Sequence, residues 1–245
     1  MSKKTILLKK VIMKLTLVLV VILLASFTIP LTENYKQAFG SDYTWAVNWL
    51  QQNKISIQKY ADQFNIPAKE LKAIVFPELI RYNTIFDAIE INSLKYLYVS
   101  DGKEYADFSV GYFQMKPSFA EMVEQDLAGL KDSVFISQSK INGLYNMADN
   151  ELNRNARIAR ITSIDMQVQY LCAFYKICEH KFADIRFFST ADKVKCFATS
   201  YNAGYRRSFE SLQSFQQKKY YHTGKLVTSQ RYNYADISAY YFINE

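Results

Sequence analysis

Apolar residues recur at helical spacing over most of the chain. From Ser41 onward, Trp45, Val47, Trp49 and Leu50 mark one helix, with Ser41 placed to cap it. Ser56 can cap a second helix that carries Ile57, Tyr60, Ala61 and Phe64 on one face. Asn65-Ile66-Pro67 reads as a turn, and Pro67 suits the start of a third helix from Ala68 to about Phe76. Pro77 follows at once, and a proline there removes a backbone donor, so the helix is expected to kink or end. Further helices are expected over 84–97, from Pro117 to Leu130, over 163–180 and from Asp192 to Ser200. The polar stretch 134–160 gives no clear period, and residues 206–245 read as one or two short helices and an aromatic tail. The sum is an all-α globular domain over 41–245, preceded by a linker at 32–40.

Composition agrees with helices: only 7 Gly and 4 Pro occur in 245 residues, too few for a loop-rich all-β chain. The formal charge is +7, but Lys3, Lys4, Lys9, Lys10 and Lys14 supply five of those charges, which leaves +2 for the rest. That is no clustered basic face, so a nucleic-acid partner is not expected. The same lysines precede an apolar run from Leu15 to Leu31, the layout of a secretory signal or a signal anchor. The run is 17 residues long, at the short edge of a membrane span, and no clean small-x-small cleavage site follows it. Export to the periplasm or cell envelope is expected, with residues 1–31 either cleaved or retained as an inner-membrane anchor. Cys172, Cys178 and Cys196 are odd in number, and buried small residues are the simplest reading of them. His180 and His222 lie far apart and the cysteines lack ligand spacing, so neither a metal nor another cofactor is implied.

Three blocks carry candidate chemistry. They are Phe76-Pro77-Glu78-Leu79-Ile80-Arg81-Tyr82, Gly111-Tyr112-Phe113-Gln114-Met115-Lys116-Pro117-Ser118 and Ala198-Thr199-Ser200-Tyr201-Asn202-Ala203-Gly204-Tyr205. Each alone has an ordinary explanation: a helix-end acid, a loop running into a helix, and a helix C-cap. Together, in this order, they resemble the soluble-type lytic transglycosylases of the lysozyme-like superfamily, relatives of goose-type lysozymes. The resemblance covers about residues 56–210 and includes the lead-in stretch Tyr60 to Leu71. Leu79 stands where that family usually has Ser, and Ser200 where it has Ala. Glu78 and Gln114 are 36 residues apart, so residues 83–108 read as an insertion.

The resemblance implies a lysozyme-like fold and cleavage of the β-1,4 bond between N-acetylmuramic acid and N-acetylglucosamine in peptidoglycan. It implies that Glu78 is the catalytic acid and then the base, with the sugar's own C6 hydroxyl as nucleophile and a 1,6-anhydro end as product. No second carboxylate is then needed. It further implies that Gln114 lines the glycan groove, that Tyr201 hydrogen-bonds the acid, and that Asn202 contacts acetamido groups. Met115 and Tyr112 are placed to pack on sugar faces or in the core. A carboxylic acid donates near neutral pH only when its charged form is disfavoured, and the apolar neighbours Phe76, Pro77, Leu79 and Ile80 offer burial. A hydrolytic variant would use a second acid to hold water; Asp87, Glu90, Asp101, Glu104 and Asp107 are the nearby acids, each with a plain solvated alternative.

Overall fold

The computed structural model describes residues 33–130, 137–223 and 230–245. The expected signal or anchor at 1–31 lies outside the described residues. Among the described residues, no helix is long and apolar enough to cross a membrane. The chain divides into two compact units, Met1–Ala38 and Phe39–Glu245. A short helix, α1 (Tyr35–Phe39), occupies part of the expected linker and ends at Gly40, whose φ of 52° breaks the helical path.

The second unit is built from helices and one small hairpin. Its first half runs α2 (Ser41–Gln52), α3 (Lys54–Gln63), α4 (Ala68–Arg81), α5 (Thr84–Asp101) and α6 (Pro117–Leu127). A 3-10 turn (Leu144–Asn146) and α7 (Glu151–Thr162) fill the stretch whose period was unreadable, and α8 (Ile164–Lys181) and α9 (Thr190–Ala203) follow. Beyond these, α10 (Phe209–Gln216) leads into an antiparallel pair of strands, β1 (Lys219–Tyr221) and β2 (Tyr232–Asn233), and then α11 (Tyr234–Asn244).

Two expected caps act differently. Ser41 makes no capping bond, and the Ser56 hydroxyl donates to Asp165 at 2.5 Å instead, which ties α3 to α8. Asn83 caps α5 as its side-chain oxygen accepts from the Ile85 and Phe86 amides, and Ser189 caps α9 by accepting from Asp192.

Helix α4 is the axis of the unit. Helices α2, α3, α8, α9 and α11 all pack against it, and every residue from Ala73 to Ile80 is buried. A helix apolar on all sides is a core helix. It does not stop at Pro77 but runs on to Arg81. Pro77 has no N–H to give to Ala73, a defect that costs about 3 kcal/mol in an isolated helix. Two tyrosines from the C-terminal segment tether the helix through two other carbonyls of this stretch. Tyr221 donates to the Pro77 carbonyl at 2.7 Å, and the Tyr234 hydroxyl lies 3.2 Å from the Ile74 carbonyl. Tertiary packing therefore holds a helix that the local sequence would break.

Candidate active site

Glu78 sits in the last turn of α4 and is 1% exposed. Its burial fits the sequence reading, but its immediate partners are polar. The Tyr234 hydroxyl is 3.0 Å from Glu78 Oε1, and Arg81 Nε is 2.5 Å from Oε2. Arg81 stands one helical turn on, at the i+3 spacing that brings two side chains together. The arginine contact is an ion pair without hydrogen-bond direction, so Oε2 is buried with no directed donor. Burial opposes the Arg81 cation, but Glu78, with Tyr221 and Tyr234, more than offsets this and raises its pKa. Burial raises the Tyr234 pKa well above the usual phenol value, and Glu78 adds to the effect, so its hydroxyl keeps its proton.

Tyr234 can serve both states of the acid. It donates to Glu78 when the carboxylate is ionised. When Glu78 is protonated, Tyr234 can accept from it and turn its own proton toward the Ile74 carbonyl. That is what an acid that later becomes a base requires of its neighbour.

The second block forms a tight loop closed by paired hydrogen bonds between Val110 and Met115. Gly111 has a φ of 73°, and a Cβ there would collide with the Gln167 side chain. Gln114 takes a φ of 50°, a left-handed conformation that costs a non-glycine residue about 1–2 kcal/mol. Its Nε2 donates back to the Gly111 carbonyl at 2.9 Å. The loop is fastened from both sides. Asp87 Oδ1 on α5 accepts from the Gly111 amide at 2.6 Å, and the fully buried Gln167 on α8 accepts from the Phe113 amide at 3.1 Å.

The third block ends α9, and Gly204 caps it at a φ of 101°. Tyr201 does not hydrogen-bond the acid, contrary to expectation. Its hydroxyl donates to the Phe113 carbonyl at 2.7 Å, which locks α9 onto the second block, while Tyr234 takes the place beside Glu78. The geometry that decides this is helical: Tyr201 is wedged between Phe119 and Phe174, which aims its hydroxyl at the loop.

All five predicted residues line one small cavity of about 80 Å³: Glu78, Gln114, Met115, Tyr201 and Asn202, with Arg81 beside them. Met115 is 1% exposed, so packing dominates its role. A wider cleft of about 600 Å³ shares Arg81 and Gln114 with this cavity. That is the size range of pockets that enclose small organic ligands, roughly 300–1,000 Å³. The smaller cavity holds little more than waters or reacting atoms.

The acids considered for a hydrolytic role separate clearly. Asp107 accepts from the Ser118 amide and hydroxyl at 2.9 and 2.7 Å, which completes the N-terminus of α6. Asp87 is committed to Gly111 and to the Tyr82 hydroxyl. Asp101 and Glu104 are exposed. Glu90 lines the wide cleft, where burial and then Asp87 raise its pKa. The three cysteines are buried and unbridged.

Sequence reasoning missed Tyr221, Tyr234, Gln167 and the pairing of Arg81. Gln167 left a trace as a polar residue among Met166, Val168, Tyr170 and Leu171, and Arg81 left one in its spacing from Glu78. The two tyrosines left none. No protein-family model, curated protein or solved structure matches this chain.

Proposed function

We propose that this chain is a lysozyme-like peptidoglycan lytic transglycosylase, exported and acting on glycan strands. The observation that carries the reading is convergence. Glu78, Gln114 and Tyr201 are separated by 36 and 87 residues, yet they meet in one cavity beside an open cleft. Protonated Glu78 gives its proton to the glycosidic oxygen between N-acetylmuramic acid and N-acetylglucosamine, and the bond to the anomeric carbon breaks. The C6 hydroxyl of the same muramic residue attacks that carbon, and its proton returns to Glu78. The product carries a 1,6-anhydro end, and no water is consumed. Gln114 and Asn202 face the substrate, Tyr234 steadies the acid, and Tyr201 fixes the Gln114 loop. Arg81 must yield its place for substrate to reach Glu78, because the cavity as it stands is too small for a sugar ring.

Digestion of purified peptidoglycan followed by mass spectrometry tests the reading. Anhydromuramic ends support it; intact glycan after prolonged incubation rejects it. Reducing ends would favour a lysozyme-type hydrolase, for which Glu90 in the cleft is the available second carboxylate.

A further inference from the structure

The hollow beside Glu78 does not end at the residues of the three blocks. The small cavity shares Arg81 and Gln114 with the wide cleft, and the cleft shares Asp42, Ile80, Tyr82 and Asn83 with a third hollow of about 310 Å³. Shared lining residues set the three hollows in a row, a trough of which Trp45 lines only the third.

Trp45, one of the apolar residues that mark α2 in the sequence, is 41% exposed. It is held there by a ladder of rings. The Trp45 indole lies parallel to the Tyr82 ring, 5.8 Å away with 9° between planes. Tyr82 packs on Tyr112 at 4.6 Å with 36° between planes, and Tyr112 on Trp49 at 4.6 Å with 39°, both tilted contacts. Trp49 is 7% exposed, so the ladder is rooted in the core and open at one end. The Tyr82 hydroxyl donates to Asp87 at 3.2 Å, which fixes the middle rung.

A ring fixed in this way loses little side-chain entropy when a ligand covers it. Asn83, Thr84 and Asp42 place polar groups around it. An aromatic face with a polar rim matches a pyranose, which offers apolar C–H faces and equatorial polar groups.

We propose that Trp45 and Tyr82 form a distal glycan-binding subsite, where a sugar unit remote from the cleaved bond stacks on Trp45. The proposal rests on the glycan-cleaving reading of Glu78. It makes the enzyme sensitive to strand length, because only a chain long enough to run the trough reaches Trp45.

The test uses the full chain carrying E78Q, so that ligand is bound without turnover. The probes are uncharged N-acetylglucosamine trimers and hexamers, with affinity measured by calorimetry. The chain has 2 tryptophans, so the part of the fluorescence change that W45F abolishes is assigned to Trp45. The hexamer is expected to bind roughly tenfold more tightly than the trimer and to change the fluorescence. Adding W45A should bring the hexamer down to the trimer's affinity and leave the trimer unaffected; an unchanged trimer affinity also reports an intact fold. W45F, which keeps an aromatic face, should retain most of the preference. A length preference that survives W45A overturns the subsite and leaves the glycan reading standing. Failure of E78Q and the parent to bind either oligomer also overturns the subsite, and the peptidoglycan digest decides the glycan reading separately.

Discussion

Two buried carboxylates stand on separate helices and have opposite surroundings. Glu124 on α6 is 2% exposed, and both of its oxygens are fully engaged. Arg157 donates to Oε2 through Nε and Nη2 at 3.1 and 2.8 Å, Arg160 donates to Oε1 at 3.2 Å, and the Tyr170 hydroxyl donates to Oε1 as well. Glu78 on α4 is as deeply buried, but it has one tyrosine at Oε1 and an ion pair without direction at Oε2. Burial alone therefore does not mark a catalytic acid. A saturated carboxylate is a structural tie, and its lone pairs have no capacity left for chemistry. A carboxylate with one hydrogen bond and one ion pair beside a cleft keeps more of that capacity.

Breaking each carboxylate should produce opposite phenotypes. E78Q should reduce peptidoglycan cleavage by about 10²–10⁴-fold, the usual share of a general acid, with a melting temperature close to the parent's. Parental cleavage by E78Q would remove Glu78 from the mechanism. E124Q should do the reverse: it leaves Arg157 and Arg160 without their buried counter-charge and should lower unfolding free energy by about 3–5 kcal/mol in urea titrations. Its activity per folded molecule should stay near parental.

Smaller changes sharpen the contrast. Y234F removes the hydroxyl that serves both states of Glu78, and cleavage should fall about tenfold, the worth of one hydrogen bond to a charged group. Y221F loses the donor to the Pro77 carbonyl and should cost about 1 kcal/mol of stability with less effect on rate. The buried thiols give the mildest readout. Burial pushes Cys196 up to about 11, and Cys172 and Cys178 are raised further, so at pH 8 the folded chain should react slowly with a thiol reagent. E78Q should match that rate, and E124Q should exceed it as its fold opens more often.

Legibility followed the range of the interactions. Helices α4, α5, α8 and α9 were readable because their apolar periods are local, although α9 runs on through Tyr201 to Ala203 and α5 to Asp101. The 151–162 helix was hidden because its buried residues include Arg157, a charge that Glu124, Glu121 and the Tyr98 hydroxyl make tolerable inside. The Gln114 loop was readable as a loop, but its anchors Asp87 and Gln167 come from other helices.

The sequence by itself determined a helical chain and the positions of the three blocks, because residue type and spacing suffice for these. Only the tertiary structure decided who touches Glu78. It carried α4 through Pro77, turned Tyr201 toward Phe113, and brought Tyr234 back across 156 residues to the acid. The physical reason is that a buried polar group must find a partner, and no local rule says which distant residue the fold will deliver.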